Sequence, residues 1–165
     1  MTMKLVTILI RAVAGVTAGI CSVAFCTHAA PVNEWKSVVY GGGGYVTGIV
    51  AHPASRDLIY IRTDVGGVFR WNKADGGGWI PLSDAHTLEE TKYYSIESIA
   101  LDPSDTNTVY IAAGGEWSNY DNDGAILVSD DQGRTWRKTG LADIPMGGNE
   151  EWRWAGERLA VDANN

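Results

Sequence analysis

The chain has 165 residues and a formal net charge of −7, which bounds it to about one ordinary domain with an acidic surface. Such a chain is a poor match for nucleic acid or for an anionic membrane, and it suits a protein that acts on a neutral polymer. Its seven tryptophans are a high load for so short a sequence.

The first 30 residues have the three parts of a secretory signal peptide. Lys4 and Arg11 supply the basic start, residues 12–26 are uncharged and mostly apolar, and small residues follow. We expect cleavage after Ala29 or Ala30 and a secreted, extracellular mature chain. An uncleaved membrane anchor is the alternative, although the apolar run is short for a bilayer. Both cysteines leave with this leader, so the mature protein would rely on packing and not on disulfides.

The sequence after the leader repeats with an offset of about 50 residues. Residues 48–53 align with 98–103, residues 58–61 align with 108–111, and a third copy starts at 158–162. Each unit consists of a short apolar strand, a turn that contains proline or aspartate, and a β-rich strand. Repeats of this length are typical of β-propeller blades, which contain four short strands each.

The repeats predict an all-β fold, a partial β-propeller domain over residues 31–165. We expect one blade over 46–82, a second over 96–141, and a third that stops after its first strand, with no amphipathic helix. Polar loops over 83–94 and 116–123 are where binding sites are usually built. Two blades cannot close a ring, so we expect an N-terminal piece of a longer propeller protein. A short protein that oligomerises into a ring is the alternative.

One eight-residue segment, 129–136, has the S-x-D-x-G-x-T-W pattern known as an Asp-box. Gly133 supplies a turn residue with positive φ, and Ser129 and Asp131 can accept hydrogen bonds from the turn's own backbone N–H groups. Thr135 and Trp136 are expected to start the next strand. Every position has a structural role, so the pattern identifies a propeller fold and not a chemistry.

Several further segments occur in a fixed order and spacing. G-G-G-G-Y-V-T-G-I stands at 41–49 and R-T-D-V-G-G at 62–67. With them, the chain resembles the N-terminus of glycoside hydrolase family 74, the xyloglucanases and oligoxyloglucan reducing-end-specific cellobiohydrolases. This resemblance covers essentially the whole mature chain, whereas the Asp-box alone is shared with sialidases and sorting receptors. The other segments that carry it are 35–38, 69–71, 98–103, 124–127 and 156–162.

The resemblance implies two seven-bladed propellers with a substrate cleft between them. It also implies cleavage of the β-1,4-glucan backbone of xyloglucan, with inversion at the anomeric carbon. The aspartate of the R-T-D-x-G-G segment matches Asp64, which is therefore the expected general base. The catalytic acid would lie in the second propeller, beyond Asn165, so this chain alone is expected to be inactive. The implied partner is a plant cell-wall polysaccharide; no cofactor, nucleic acid or membrane partner is expected, and the full-length protein should be a monomer.

The residues around Asp64 permit this role without requiring it. An inverting hydrolase needs two carboxyl groups about 6.5–9.5 Å apart, and its base must stay ionised. Arg62 lies two residues before Asp64, so the two side chains would share a strand face and the cation would favour the carboxylate. Gly66 and Gly67 would let a ligand approach the backbone. An ordinary turn aspartate is the alternative on local sequence alone.

Aromatic side chains with polar neighbours are the expected sugar platforms, because their flat faces are apolar and their edges are polar. The residues predicted to bind substrate are Tyr45, Arg62, Trp117, Tyr120, Trp152 and Trp154. Trp35, Trp71, Trp79 and Trp136 lie within the repeats and are expected to pack in the core. No metal site is predicted, because the histidines are not spaced for one and the mature chain has no cysteine.

Two other functions compete with the hydrolase. A non-catalytic Asp-box propeller that binds glycan or protein would lack the downstream aspartate of a second propeller. A sialidase would need an Arg-Ile-Pro triplet upstream of its Asp-boxes, and the sequence has none. Residues 151–155 and Thr91-Lys92 depart from the family pattern, which leaves the exact glucan and endo or exo action open. Glu157 and Arg158 fit that pattern and are expected to form a structural ion pair.

Overall fold

The structure is a computed structural model that describes residues 36–74, 77–114, 124–144, 146 and 156–164. All the elements below belong to the compact unit Ser37–Asn165. The predicted signal peptide lies outside the described residues. No helix among the residues that the structure describes is long and apolar enough to cross a membrane.

The first repeat forms a four-stranded antiparallel sheet whose strands are neighbours in chain order. The strands are rich in β-branched and aromatic residues, which fit a pleated, half-buried surface. Its members are β1 (Val46–Ala51), β2 (Ile59–Thr63), β3 (Val68–Asn72) and β4 (Gly78–Pro81).

The second repeat forms a second four-stranded antiparallel sheet of the same topology. The predicted all-β fold is thereby confirmed, and the blade boundaries differ from expectation only at their last strand. Its members are β5 (Ile96–Leu101), β6 (Val109–Ala113), β7 (Gly124–Ser129) and β8 (Arg137–Ile144).

The two sheets share a bulge at the same position of the repeat. In the first sheet the pairing register shifts between Val46 and Gly48, and in the second it shifts between Ile96 and Ser98. The extra residues are therefore Thr47 and Glu97, which stand 50 positions apart in the sequence. A bulge turns a side chain out of the regular alternation, and bulges are frequent beside functional sites.

The core lies where the two sheets pack together, and both sheets contribute to it. Each fully buried Val, Ile or Leu side chain in such a core stabilises the fold by about 1.5–3 kcal/mol. The buried cluster consists of Leu58, Tyr60, Val68, Leu82, Tyr93, Ile96, Ile99, Val109, Ile111, Ala113, Ala125 and Leu127.

Polar contacts also connect the sheets. His52 Nδ1 accepts a hydrogen bond from Ala54 N at 3.1 Å, so its Nε2 carries the proton and donates to the Asp102 carbonyl at 2.8 Å. The Trp136 indole donates to the Leu82 carbonyl at 3.0 Å. His52 thus bonds to the residue that occupies its own position in the next repeat, which links successive repeats directly.

Two sequence predictions are wrong in detail. The segment predicted as a polar loop over 83–94 contains a 3-10 helix, Leu88–Tyr94, which buries Tyr93 to 2% exposure. The Glu90 carboxylate accepts hydrogen bonds from Thr87 N and Oγ1, both at 3.1 Å, and these bonds support the first turn and lower the pKa of Glu90. The predicted strand at 158–162 is not formed, because its backbone pairs with no strand among the described residues.

Candidate active site

Asp64 lies in the turn that joins β2 to β3. Thr63 closes this turn, because its N and Oγ1 donate to the Gly67 carbonyl at 3.0 and 2.9 Å. Gly66 N donates in turn to Thr63 Oγ1 at 2.8 Å, and Thr63 is fully buried. Three hydrogen bonds therefore fix Thr63, the residue before Asp64. They also restrict the direction in which the Asp64 side chain leaves the backbone.

Asp64 and Tyr45, both predicted site residues, are brought together by the structure. Asp64 Oδ1 accepts a hydrogen bond from Tyr45 N at 2.7 Å, and Asp64 N donates to the Tyr45 carbonyl at 3.2 Å. The Asp64 residue is half-buried, whereas Tyr45 is 70% exposed. A carboxylate anchored by a backbone N–H thus stands beside an exposed aromatic residue, which is a suitable arrangement for contact with a sugar.

The glycine run before Tyr45 packs directly on the Asp64 turn. Gly44 has φ of 91°, and a Cβ placed on it would lie 2.6 Å from Asp64 Oδ1. A side chain on Gly66 would collide with the Gly43 carbonyl. Gly66 was expected to let a ligand approach the backbone; in the structure it is this glycine loop that makes the close approach.

Arg62 is not exposed beside Asp64 as the alternation argument predicted. The strand ends at Thr63, so the alternation of side chains does not extend to Asp64. Arg62 is 2% exposed, and its guanidinium donates to Glu157 Oε1 at 2.8 Å and to Thr47 Oγ1 at 2.7 Å. The charge of Arg62 is compensated by Glu157. The predicted contact of Arg62 with substrate stays a prediction, and the burial of its side chain does not favour it.

Glu157 and Arg158 form ion pairs, but not with each other. Glu157 pairs with Arg62 of the first sheet, whereas Arg158 Nη1 lies 2.8 Å from Glu97 Oε1 in the second sheet. Adjacent residues in an extended segment point in opposite directions, so each reaches a different partner. The predicted ion pair between Glu157 and Arg158 is therefore wrong, because each residue pairs with a different sheet.

Four predicted platform residues, Trp117, Tyr120, Trp152 and Trp154, lie outside the described residues. The strands that flank the connection carrying Trp117 and Tyr120 are described. In the second sheet, the last residue of β6 and the first residue of β7 lie at one end of the sheet. The Asp64 turn lies at the corresponding end of the first sheet. Hydrogen bonds from Gly67 N to Tyr94 O and from Gly114 N to Ser95 O hold those two ends to adjacent residues.

Of the tryptophans expected in the core, the three that the structure describes are only partly buried. Trp71 and Trp79 pack edge to face with ring centroids 5.4 Å apart, and both are half-buried. Trp136 packs against the buried cluster at its rim. Trp35 lies outside the described residues. Of the described tryptophans, Trp136 therefore packs on the core, whereas Trp71 and Trp79 pack on each other.

Two clefts away from Asp64 were not anticipated from the sequence. One, of about 360 Å³, is lined by Arg70, Trp71 and Gln132 among others. The other, of about 250 Å³, includes His86, whose Nε2 has no hydrogen-bond partner among the described residues. Burial lowers the pKa of His86, and the nearby Glu90 carboxylate partly opposes this shift. No group of His, Cys, Asp and Glu within the described part of the chain could hold a metal ion.

Comparison with known proteins gives matches along most of the chain. It is 49% identical over 134 residues to the xyloglucanase Xgh74A of Acetivibrio thermocellus, a match that covers 80% of this chain and 16% of that protein. A xyloglucanase of a Paenibacillus species is 46% identical over 143 residues, which is 84% of this chain and 14% of that protein. The chain therefore spans only 14–16% of the length of these relatives.

Solved structures agree with these matches. The GH74 enzyme of Niastella koreensis superposes with a TM-score of 0.68 at 43% identity, over 78% of this chain and 18% of that one. The GH74 xyloglucanase of Xanthomonas campestris gives a TM-score of 0.66 at 40% identity, over 79% of this chain and 18% of that one. No family model matches the chain. Sequence and structure together show that the chain, over the segment it spans, belongs to glycoside hydrolase family 74.

Proposed function

We propose that this chain is part of a secreted xyloglucan hydrolase and that Asp64 is its general base. The observation that carries the proposal is the placement of Asp64: its carboxylate is held by Tyr45 N at 2.7 Å, next to an exposed tyrosine. Relatives that are named xyloglucanases support the substrate class. The chain spans only 16% of the first of them, so the activity is proposed for the longer protein that would contain it.

The proposed chemistry is a single displacement. Asp64 removes a proton from a water molecule, and the water oxygen attacks the anomeric carbon as the bond from that carbon to the leaving sugar oxygen breaks. A carboxylic acid donates its proton to that oxygen, so charge is conserved. We propose that this acid lies in a second propeller outside the chain. The product would have the opposite anomeric configuration to the substrate bond.

The backbone anchor suits a base. The hydrogen bond from Tyr45 N fixes the position of the carboxylate. The half-buried position of Asp64 keeps it within reach of solvent, from which the attacking water would come. A rigid turn then sets the distance between the base and the sugar, which is what an in-line attack requires.

Tyr45 is proposed as a sugar platform beside the base. We also propose Trp117, Tyr120, Trp152 and Trp154 as further platforms, on sequence grounds alone. Residues 1–30 are proposed as the secretion signal, which would release the mature protein to plant cell-wall polysaccharide outside the cell.

The test is Asp64→Asn in the full-length protein that contains this chain, assayed by release of reducing sugar from xyloglucan. Loss of a general base should lower kcat by about 10²–10⁴-fold, because the amide cannot accept the proton. The amide preserves the size of the side chain, and its oxygen can still accept the hydrogen bond from Tyr45 N. An undiminished rate would show that Asp64 is not the base.

A further inference from the structure

We infer that Glu157 is a positioning residue for Asp64, acting through Arg62. This inference rests on the proposed role of Asp64. It concerns how residues 156–159, where the third repeat begins, are coupled to the turn in the first sheet. Glu157 touches no reacting group in this account; it fixes the strand that carries the base.

Both carboxylate oxygens of Glu157 are used, and by different sheets. Oε1 accepts from Arg62 Nε at 2.8 Å, on β2. Oε2 accepts from Ser98 Oγ at 2.8 Å and from Ile99 N at 2.6 Å, on β5. Ser98 Oγ itself accepts from the backbone N–H groups of Arg158 and Leu159 at 2.7 and 3.0 Å. One carboxylate therefore ties both sheets to the segment at 156–159.

Gly48 leaves space for the Glu157 carboxylate because it has no side chain. A Cβ on Gly48 would lie 2.5 Å from Glu157 Oε1 and 2.6 Å from Arg62 Nε, so only glycine permits the pair to form there. The bulge at Thr47 turns that side chain toward the same guanidinium, and its Oγ1 accepts from Arg62 Nη1 at 2.7 Å. Arg62 also donates to the Gly156 carbonyl at 3.2 Å.

The coupling reaches Asp64 through two residues of backbone. Arg62 is buried, so its charge depends on Glu157 for compensation. In Glu157→Gln the one remaining oxygen cannot accept from both Arg62 Nε and Ile99 N, and the charge of the guanidinium is no longer compensated, so β2 shifts to relieve the loss. Thr63, fully buried and bonded to Gly67, would transmit that shift to the Asp64 turn. A displacement of about 1 Å is enough to cost a large factor in catalysis.

A second ion pair provides a matched control. Arg158 pairs with Glu97 at 2.8 Å, and Glu97 occupies in the second sheet the bulge position that Thr47 occupies in the first. Its side chain is 6% exposed, compared with 27% for that of Glu157. This pair binds the same segment to the second sheet.

The experiment compares Glu157→Gln with Glu97→Gln in the full-length protein, measuring kcat and KM on xyloglucan together with the melting temperature. Both variants keep the side-chain volume and should lower the melting temperature. At a temperature where both are fully folded, Glu157→Gln should lose about ten- to a hundredfold in kcat with little change in KM. Glu97→Gln should keep its kcat.

If Glu157→Gln fails to fold, Ser98→Ala is the second variant, because it leaves the Arg62 ion pair while it removes a donor to Glu157 Oε2 and the acceptor of the Arg158 and Leu159 N–H groups. It should lower kcat by a smaller factor than Glu157→Gln while KM stays the same. If Glu157→Gln, or Ser98→Ala in its place, had the same kcat as the control Glu97→Gln, the positioning role of Glu157 would be overturned. The role of Asp64 as the base would be unaffected. Full activity of Asp64→Asn would instead overturn the proposed function.

Discussion

Two of the turns that present an aspartate, the Asp-box and the β2–β3 turn, hold their carboxylates in different ways. In the Asp-box, Asp131 Oδ1 accepts from Ser129 Oγ at 2.7 Å and from Thr135 N at 2.9 Å, and Oδ2 accepts from Thr135 Oγ1 at 2.7 Å. Every one of these partners lies within four residues. Asp64 is instead held by Tyr45 N, 19 residues away in the sequence.

The difference separates a structural carboxylate from a functional candidate. Asp131 closes its own hairpin, and its position follows from local sequence. The position of Asp64 depends on the packing of a glycine loop against a strand end, so it is a product of the tertiary fold. A carboxylate fixed by distant backbone can be aimed at a ligand, whereas one saturated by its own turn is committed to stability.

Among the substitutions that keep Asp64, Gly44→Ala should lower kcat the most. The new Cβ would lie 2.6 Å from Asp64 Oδ1, on a residue whose φ is 91°. We expect kcat on xyloglucan to fall by about ten- to a hundredfold, because the carboxylate must move.

Gly43→Ala is the matched control for that variant, because a Cβ there meets nothing within 4 Å. Its kcat should stay close to that of the unmodified protein. If Gly44→Ala and Gly43→Ala had the same kcat, the glycine loop would not be setting the position of Asp64.

Asp131→Asn should affect stability and not chemistry. The charged hydrogen bonds of the turn contribute roughly 1–3 kcal/mol to folding at neutral pH. Hydrogen bonds, first from Ser129 and then from Thr135, lower the pKa of Asp131 to about 2. Because this lies below the unfolded value of about 3.9, the stabilisation is present above pH 4 and is lost as pH falls toward 2.

Chemical denaturation at a series of pH values checks this expectation. The free energy of unfolding of Asp131→Asn should fall furthest below that of the unmodified protein near pH 7, and the gap should close between pH 4 and 2. A gap that stays constant over that range would mean that the charge of Asp131 contributes nothing to the turn.

Tyr45→Ala should have the smallest effect. The backbone N–H that holds Asp64 is retained in this variant, so kcat should change little. Loss of the exposed ring should raise KM for xyloglucan by about two- to tenfold, the factor that corresponds to about 0.5–1.5 kcal/mol of aromatic contact. Tyr45→Phe keeps the ring and should keep KM; a raised KM in both variants would point to the hydroxyl, which donates to no residue that the structure describes.

The sequence predicted the sheets well because their signal is repeated. The offset of 50 residues and the short apolar strands can be recognised directly in the sequence, and the structure shows two sheets with the same register shift. The strand expected at 158–162 was not found, because a strand needs a partner as well as a suitable composition. The 3-10 helix depends on the side chain of Glu90, which a scan for apolar periodicity does not detect.

The site was predicted less completely, and for a physical reason. Asp64 and Tyr45 could be named from the sequence, but their hydrogen bond could not, because it joins segments that only the fold brings together. Arg62 was placed on the wrong side because the alternation rule was extended one residue past the end of β2. Its partner Glu157 is 95 residues away, and no spacing rule reports such a pair.

The most direct test of the account compares Asp64→Asn and Asp131→Asn side by side, measuring both kcat on xyloglucan and melting temperature in the full-length protein. The account predicts crossed results: Asp64→Asn loses about 10²–10⁴-fold in kcat and melts near the unmodified protein, while Asp131→Asn melts lower and keeps its kcat below that temperature. If Asp64→Asn kept its activity, or if Asp131→Asn lost as much kcat while folded, the distinction between the two carboxylates would be wrong.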